Sequence, residues 1–275
     1  MSKLESKIRQ FYQPVQPSVK LAAQGIGSVN YQEISAHSGL QDFIYCYWQL
    51  KTNHALTETF NYRVVADGCI DIFFELENPQ ESFIMGFCDQ FTEFPLPGTF
   101  NYVGLRFLPG MFPQIFDVDA FALNNRFESL QAVAPGLSKF IKDSLHPGLS
   151  LPELKAVLDD FFVNQISDRS SPGDSRMHHA MAIILESSGM LNIEKDLDVG
   201  ISSRQLRRLF RFYVGGTPKT FSKIVRFQKV LSTAPLLDRA IQEKLFFDAG
   251  YYDQAHFIHE FNELYGLTPQ KAFRQ

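Results

Sequence analysis

Over residues 203–229 the chain places eight cationic side chains, Arg204, Arg207, Arg208, Arg211, Lys219, Lys223, Arg226 and Lys229, and no acidic one. A guanidinium donates two parallel hydrogen bonds, to the O6/N7 edge of a guanine or to a pair of phosphate oxygens, so such a run can grip a polyanion. Helical spacing sets Leu206, Leu209 and Phe210 on one side and leaves Arg204, Arg207, Arg208 and Arg211 around the outside, next to Ser203. Taken alone, the same pattern also describes a solvated helix face.

The run is one half of a repeat. Phe210-x4-Gly215-x-Thr217-Pro218 returns as Phe261-x4-Gly266-x-Thr268-Pro269, offset by 51 residues. Each copy has an apolar residue four positions earlier, Leu206 or Phe257, and a glycine ten or eleven positions earlier, Gly200 or Gly250. Thr217 and Thr268 supply side-chain oxygens at helix N-caps, with a proline at the first helical position, and the backbone N–H groups at these two helix starts are expected to hold phosphates. A short helix over 193–199, a tight turn at Gly200 and a second helix over 203–212 are the parts of a helix-turn-helix, whose second helix enters a DNA major groove. The second copy predicts a helix over 243–249, a turn at Gly250, and a helix from Asp253 with Phe257, Ile258 and Phe261 inward. There Gln254 can pair with adenine, Ala255 can meet a thymine methyl, and His256 or His259 can reach phosphate. Asp253 and Glu260 make this copy less basic than the first. A long helix from Pro218 joins the two, with Arg226 and Lys229 as cations that either face DNA or tie the halves together.

The whole chain frames these elements. At 275 residues it has room for two domains, and 45% hydrophobic against 20% charged residues excludes a disordered protein. The net charge of −4 excludes a wholly basic nucleic-acid protein, yet residues 1–170 carry −7 and residues 171–275 carry +3. No stretch has the length and apolarity of a signal peptide or a membrane span, so a cytoplasmic location without membrane partners is expected. Cys46, Cys69 and Cys88 are scattered, which suits free thiols and offers no zinc-site spacing.

Over residues 40–107 apolar residues alternate: Ile70, Ile72, Phe74 and Leu76 fall on one face, with Cys69, Asp71, Phe73 and Glu75 on the other, and Asp67-Gly68 is a hairpin signal. This half reads as a small antiparallel barrel or sandwich. Helical spacing follows over 111–116, 129–145 and 151–166, and the polar, breaker-rich residues 169–175 predict a linker between a first domain, 1–168, and a second, 176–275.

Leu206-x2-Leu209-Phe210-x4-Gly215-x-Thr217-Pro218 followed by Arg226, and Gly250-Tyr251-Tyr252-Asp253-Gln254-Ala255-His256-Phe257-x3-Phe261-x4-Gly266-Leu267-Thr268-Pro269, resemble the paired helix-turn-helix domain of the AraC/XylS transcription regulators. The resemblance covers about 100 residues. It implies that a linker helix holds two recognition helices in successive major-groove segments of double-stranded DNA. It places Arg204, Arg207 and Arg208, then Gln254, Ala255 and His259, at base-proximal positions. The family usually has arginine where this chain has His259. Residues 63–72 and 104–110 resemble, more loosely, the sensor domain of one AraC-type subgroup, which implies a cupin-like antiparallel β-barrel followed by helices.

The implied protein is a transcription regulator of α+β architecture rather than an enzyme, with no cofactor and no metal, leaning toward activation and hence toward RNA polymerase as a partner. Control comes either from a small-molecule effector in the first domain or from that domain acting as an interaction module, self-pairing included, through 129–145 or 151–166. Cys69, Asp71, Phe73 and Arg106 are the candidate effector contacts. Phe83, Phe87, Phe91, Phe94 and Phe107 can add an apolar lining or form ordinary core. Cys69 also reads as a buried free thiol, Asp71 with Glu75 as solvent-facing carboxylates, and His178-His179 as exposed histidines.

Overall fold

Alternating side chains give a strand two faces, and the first half of this chain buries both. The computed structural model describes residues 5–16, 28–167, 173–234, 249–251 and 253–273. After α1 (Glu5–Phe11) come β1 (Val29–Ile34), β2 (Ile44–Thr52), β3 (Phe60–Val64), β4 (Ile70–Glu75), β5 (Ser82–Met85), β6 (Thr92–Leu96), β7 (Asn101–Phe107), α2 (Phe112–Phe116) and β8 (Phe127–Ser129). Six strands form an antiparallel sheet in the order β1-β2-β7-β4-β5-β8, and β3 pairs with β6 in a separate ribbon.

Ile70, Ile72 and Phe74 of β4 and Val103, Leu105 and Phe107 of β7 bury one face of the sheet. Against it pack α2, α3 (Leu130–Val133), α4 (Pro135–Ser144) and α5 (Leu151–Ser167), through Phe112, Ile115, Leu130, Leu137, Ile141, Leu154, Leu158 and Phe162. The helix expected over 129–145 divides at Ala134, at φ −139 and ψ 73, because the ring of Pro135 disfavours helical geometry in the residue before it. The ribbon covers the opposite face, where Tyr62, Phe60, Val64, Phe94 and Leu96 meet Tyr31, Trp48, Leu50, Phe73 and Tyr102. A register shift between Ile44 and Cys46 lets β2 give Ile44 and Tyr47 to the helical side and Cys46, Trp48 and Leu50 to the ribbon side. The barrel-like body is thus two facing antiparallel layers, and among the described residues its strands do not hydrogen-bond into one ring.

Gly104 is what lets Trp48 lie flat on β7: a Cβ there would sit 2.1 Å from the indole. Gly104→Ala is expected to destabilise the protein by about 1–3 kcal/mol through overpacking, measured by urea unfolding.

The second half is helical: α6 (Ser175–Glu186), α7 (Ser203–Val214), α8 (Pro218–Thr233), α9 (Gln254–Tyr265) and α10 (Pro269–Ala272). Its core does not stop at the expected boundary. Met177, Met181, Phe210, Phe221, Phe227 and Phe261 share one buried cluster with Ile8, Tyr12, Ala66, Cys69, Phe87 and Met111 from the first half. His178, expected on the surface, is buried with a ring nitrogen 2.9 Å from Gln114 Nε2 on α2, while His179 is exposed.

The helix expected over 193–199 is a single turn, closed by Asp196 N–H donating to Asn192 O at 2.8 Å. Asn192 Oδ1 accepts from Glu194 N and Lys195 N, and Asp198 Oδ1 accepts from Gly200 N at 2.9 Å, so short polar side chains offer the backbone alternatives to helix. Residues 243–248 and 168–172 lie outside the described residues. So do the second copy's expected first helix, all but Ala249, and most of the linker.

Candidate nucleic-acid interface

The geometry of α7 starts from its cap. Ser202 Oγ accepts from Gln205 N at 3.3 Å while Gln205 Oε1 accepts from Ser202 N at 3.1 Å, a capping box that satisfies two otherwise unpaired N–H groups. Leu206, Phe210 and Val214 are buried, which turns Ser203, Arg204, Arg207 and Arg208 outward. Those three arginines are exposed and make no hydrogen bond or ion pair to any described residue. Arg211 differs, because its guanidinium stacks 3.6 Å from the ring centre of Phe121 in the first domain.

On α9, Gln254, Ala255, His256 and His259 are exposed. Asp253 is occupied as the N-cap, its Oδ1 accepting from His256 N at 2.7 Å. Ile258, expected inward, is 38% exposed. Glu260 does not add negative charge to this surface as the residue count implied. It is buried and accepts from Arg226 Nη2 at 2.9 and 3.2 Å, and the same guanidinium lies 4.3 Å from the ring centre of Tyr251. Arg226 therefore ties α8 to α9, whereas Lys229 is exposed. Thr217 Oγ1 caps Thr220 N at 3.1 Å, while Thr268 has N-cap backbone geometry without a side-chain cap bond.

The repeated glycines explain how the first domain holds both units. Gly215 and Gly266 close α7 and α9 in the left-handed region, at φ 98 and 85. A Cβ at either would be 2.7 Å from Phe87 or from the ring of Phe91. Two equivalent helix ends, 51 residues apart in sequence, thus seat on phenylalanines four residues apart in one segment. Around that seat Phe91 N donates to Glu263 O at 3.3 Å, Lys223 pairs with Glu263, and Arg63 lies 5.8 Å from the ring centres of both Phe91 and Tyr265. Residues 65–68 make a second contact: Ala66 N donates to Leu264 O at 3.3 Å and Gln228 Nε2 donates to Ala66 O at 2.8 Å. The C-terminal ends of both helices are held by the first domain, and the exposed cations and amide lie toward their N-terminal ends.

The space between sheet and ribbon holds a cleft of about 80 Å³, walled by Trp48, Leu50, Tyr62, Val64, Phe73, Met85, Phe94, Leu96 and Tyr102, with Asp71 and Arg106 as its charged members. Arg106 Nη2 donates to Asp71 Oδ2 at 2.9 Å and Nε to Asp71 Oδ1 at 3.1 Å, and Trp48 Nε1 donates to Asp71 Oδ2 at 3.1 Å. Burial pushes the Asp71 carboxyl up to about 6 against the pull of Arg106, with Asp67 adding to the rise. Of the expected contacts, Asp71, Phe73 and Arg106 meet here. Cys69 instead sits in the core shared by the two halves, its N–H donating to Asp67 Oδ1 at 2.9 Å. From the expected phenylalanines only Phe94 joins Phe73; Phe107 packs on the helical layer and Phe87 and Phe91 form the helix seat. Glu75 accepts from Asn101 N at 2.7 Å and does not pair with Asp71. Burial raises all three thiols, Cys88 to about 12, which keeps them protonated and unreactive. Among the described residues no group of three His, Cys, Asp or Glu side chains could hold a metal ion, and no helix is long and apolar enough to cross a membrane.

Residues that sequence reasoning missed are those defined by long-range contact: Phe87 and Phe91 as a seat, Glu260 as the partner of Arg226, and Trp48, Met85, Leu96 and Tyr102 in the cleft. The glycines of the repeat were the available signal for the seat, since their conservation of spacing marks helix ends but not what meets them.

Comparison with known proteins places residues 198–275 in a family described as a helix-turn-helix domain and residues 32–129 in a domain of unknown function (DUF6597). No curated relative matches the chain. Among solved structures it is similar to ToxT from Vibrio cholerae O395, at 12% identity over 90% of this chain and 96% of that one with a TM-score of 0.39. A P21 crystal form of ToxT from Vibrio cholerae gives 13%, 90%, 97% and 0.36. Wild-type ToxT of Vibrio cholerae strain SCE256 bound to an unsaturated fatty acid gives 10%, 89%, 94% and 0.39.

Proposed function

We propose that residues 198–275, which match a helix-turn-helix domain family, are of the AraC type, and that the protein is a transcription regulator reading two successive major-groove segments of double-stranded DNA, one with α7 and one with α9. The observation that carries this reading is the outward set of Arg204, Arg207 and Arg208, three cations with no partner among the described residues on a helix whose cap and inward face are fully formed. Gln254, Ala255 and His259 on α9 are the second reading surface. The AraC type favours activation, with RNA polymerase as the second protein partner.

Control runs through the first domain. The seat on Phe87 and Phe91 and the contacts of residues 65–68 support a domain that sets the relative placement of the two recognition helices, and a small-molecule effector is the signal that shifts it. The alternative, an interaction module using α4 or α5, has less support, because both helices spend Leu137, Ile141, Leu154, Leu158 and Phe162 on the sheet.

Arg208→Ala is expected to weaken binding to a selected DNA site by about 1–3 kcal/mol and to relax the base preference at one position, whereas loss of a phosphate contact weakens all sequences alike and lowers the salt slope by about one. Titration of matched and single-base-changed duplexes at two salt concentrations separates these. Unchanged affinity for every duplex contradicts the assignment of α7 as a reader.

A further inference from the structure

The two reading helices carry different kinds of charge. The outward cations of α7 are arginines, which stay charged at any working pH. Between Gln254 and Tyr265, by contrast, α9 has no lysine or arginine. Its two glutamates are each met by a cation from α8: Arg226 donates to Glu260 at 2.9 and 3.2 Å, and Lys223 pairs with Glu263. What α9 itself can offer a phosphate is His256 and His259, three positions apart on its exposed side and away from the buried Phe257, Glu260, Phe261 and Leu264. A neutral imidazole brings no charge to that contact, whereas a protonated one donates from both nitrogens, and imidazole is the side chain whose ordinary titration falls between pH 5 and 8. The charged and titratable groups around these rings are few. Glu260 Oε2 lies 3.8 Å from His256 Nε2, the ring of Tyr251 lies 5.7 Å from that of His256 between centres, and Asp253 accepts from His256 N. His259 has Glu263 one turn further along, already paired with Lys223. Arg226 and Lys223 reach α9 from α8 through Glu260 and Glu263.

Building on the regulator reading, we propose that His256 and His259 are the phosphate-gripping cations of the second unit, and that α9 engages its half-site with uptake of protons. DNA phosphate binds the charged rings more tightly than the neutral ones, so by linkage binding raises their proton occupancy and affinity rises as pH falls. The arginines of α7 supply their part of the affinity at every pH. The second unit adds its part only when its rings are charged, so the requirement for a complete two-half-site sequence is itself proton-dependent: weak at pH 8, where α7 dominates, and strong at pH 6, where both helices hold the duplex. Glu260 belongs to this arrangement as a group already satisfied by Arg226, which leaves the helix free of uncompensated negative charge beside the two histidines.

The test uses the full-length protein and two duplexes made from a genomic site that it enriches. One duplex carries the complete site. In the other, the half-site whose recognition does not depend on Arg208 is scrambled. Affinities are measured at pH 6 and pH 8, each at two salt concentrations. The complete site is expected to bind about tenfold more tightly at pH 6 than at pH 8, with a salt slope steeper by about one to two, while the scrambled duplex changes less than about twofold. His256→Gln/His259→Gln keeps hydrogen-bonding side chains without the charge and should bind the complete site equally at both pH values. His256→Arg/His259→Arg should also be insensitive to pH but bind tightly at both, which shows that the helix still folds and docks. Equal pH dependence on the two duplexes, no pH dependence in the wild type, or full wild-type dependence in the glutamine pair overturns the proposal. DNA binding without the expected pH response rejects this inference alone, whereas failure to bind any duplex at either pH rejects the regulator reading and this inference with it.

Discussion

Arg106→Met is expected to lower the free energy of unfolding by about 3–5 kcal/mol, the usual cost of removing one partner from a buried ion pair. Methionine keeps much of the volume and none of the charge, so the loss is electrostatic. Asp71 would retain only the Trp48 N–H among its side-chain donors, and Asp67 would lose a cation 3.6 Å away. Urea unfolding followed by far-ultraviolet circular dichroism gives the number without relying on Trp48, which the substitution touches directly. The pH dependence gives a second, independent sign. Asp71 already has a folded-state value near 6, above that of an unfolded aspartate, and losing Arg106 raises it further. A carboxyl whose folded pKa is raised binds more protons folded than unfolded, so its stability contribution falls as pH rises through that window. The deficit of Arg106→Met should therefore shrink as pH drops from 7 toward 4. A deficit independent of pH would mean that lost packing, not the stranded carboxylates, causes it.

Breaking the tie between α8 and α9 should separate the two DNA-reading units functionally while leaving both folded. Glu260→Gln removes the charge that Arg226 meets at 2.9 Å but keeps shape and one acceptor, and Arg226 keeps its stacking on Tyr251. The second recognition helix is then held less firmly against the linker helix, and the pair reads a fixed half-site spacing less well. Affinity for a duplex carrying both half-sites is expected to fall about tenfold, about 1.4 kcal/mol. Binding to a duplex with only the α7 half-site should change little. Equal losses on both duplexes would show that Glu260 acts on overall stability and not on the placement of α9.

The parts of this molecule legible in the sequence are those governed by short-range periodicity. The Thr217-Pro218 start, the Gly215 and Gly266 ends and the buried side of α7 follow from 3.6-residue spacing and cap chemistry, and β4 alternates as its residues dictate. The helix missing over 193–199 had suitable apolar spacing, but Asn192 and Asp198 redirect its backbone hydrogen bonds. The role of Glu260 was illegible because its sign changes with burial, and its partner Arg226 lies 34 residues away. The same holds for His178, which looked solvated until Gln114 on α2 was brought to it. The cleft was half legible: strand alternation put Asp71 and Phe73 on one face, but only the pairing of β4 and β2 with β7 brings Arg106 and Trp48 to them.

The central claim is that this chain reads specific DNA through the outward arginines of α7. Its most direct test is selection of genomic DNA fragments by the purified full-length protein, with an Arg207→Ala/Arg208→Ala variant in parallel. Both side chains are exposed and unpaired among the described residues, so the variant should fold normally. The account predicts that the wild-type protein enriches a discrete site with two half-sites and that the variant loses it. Enrichment of the same site by both proteins, or of no site by the full-length chain and by a version lacking residues 1–170, would contradict it.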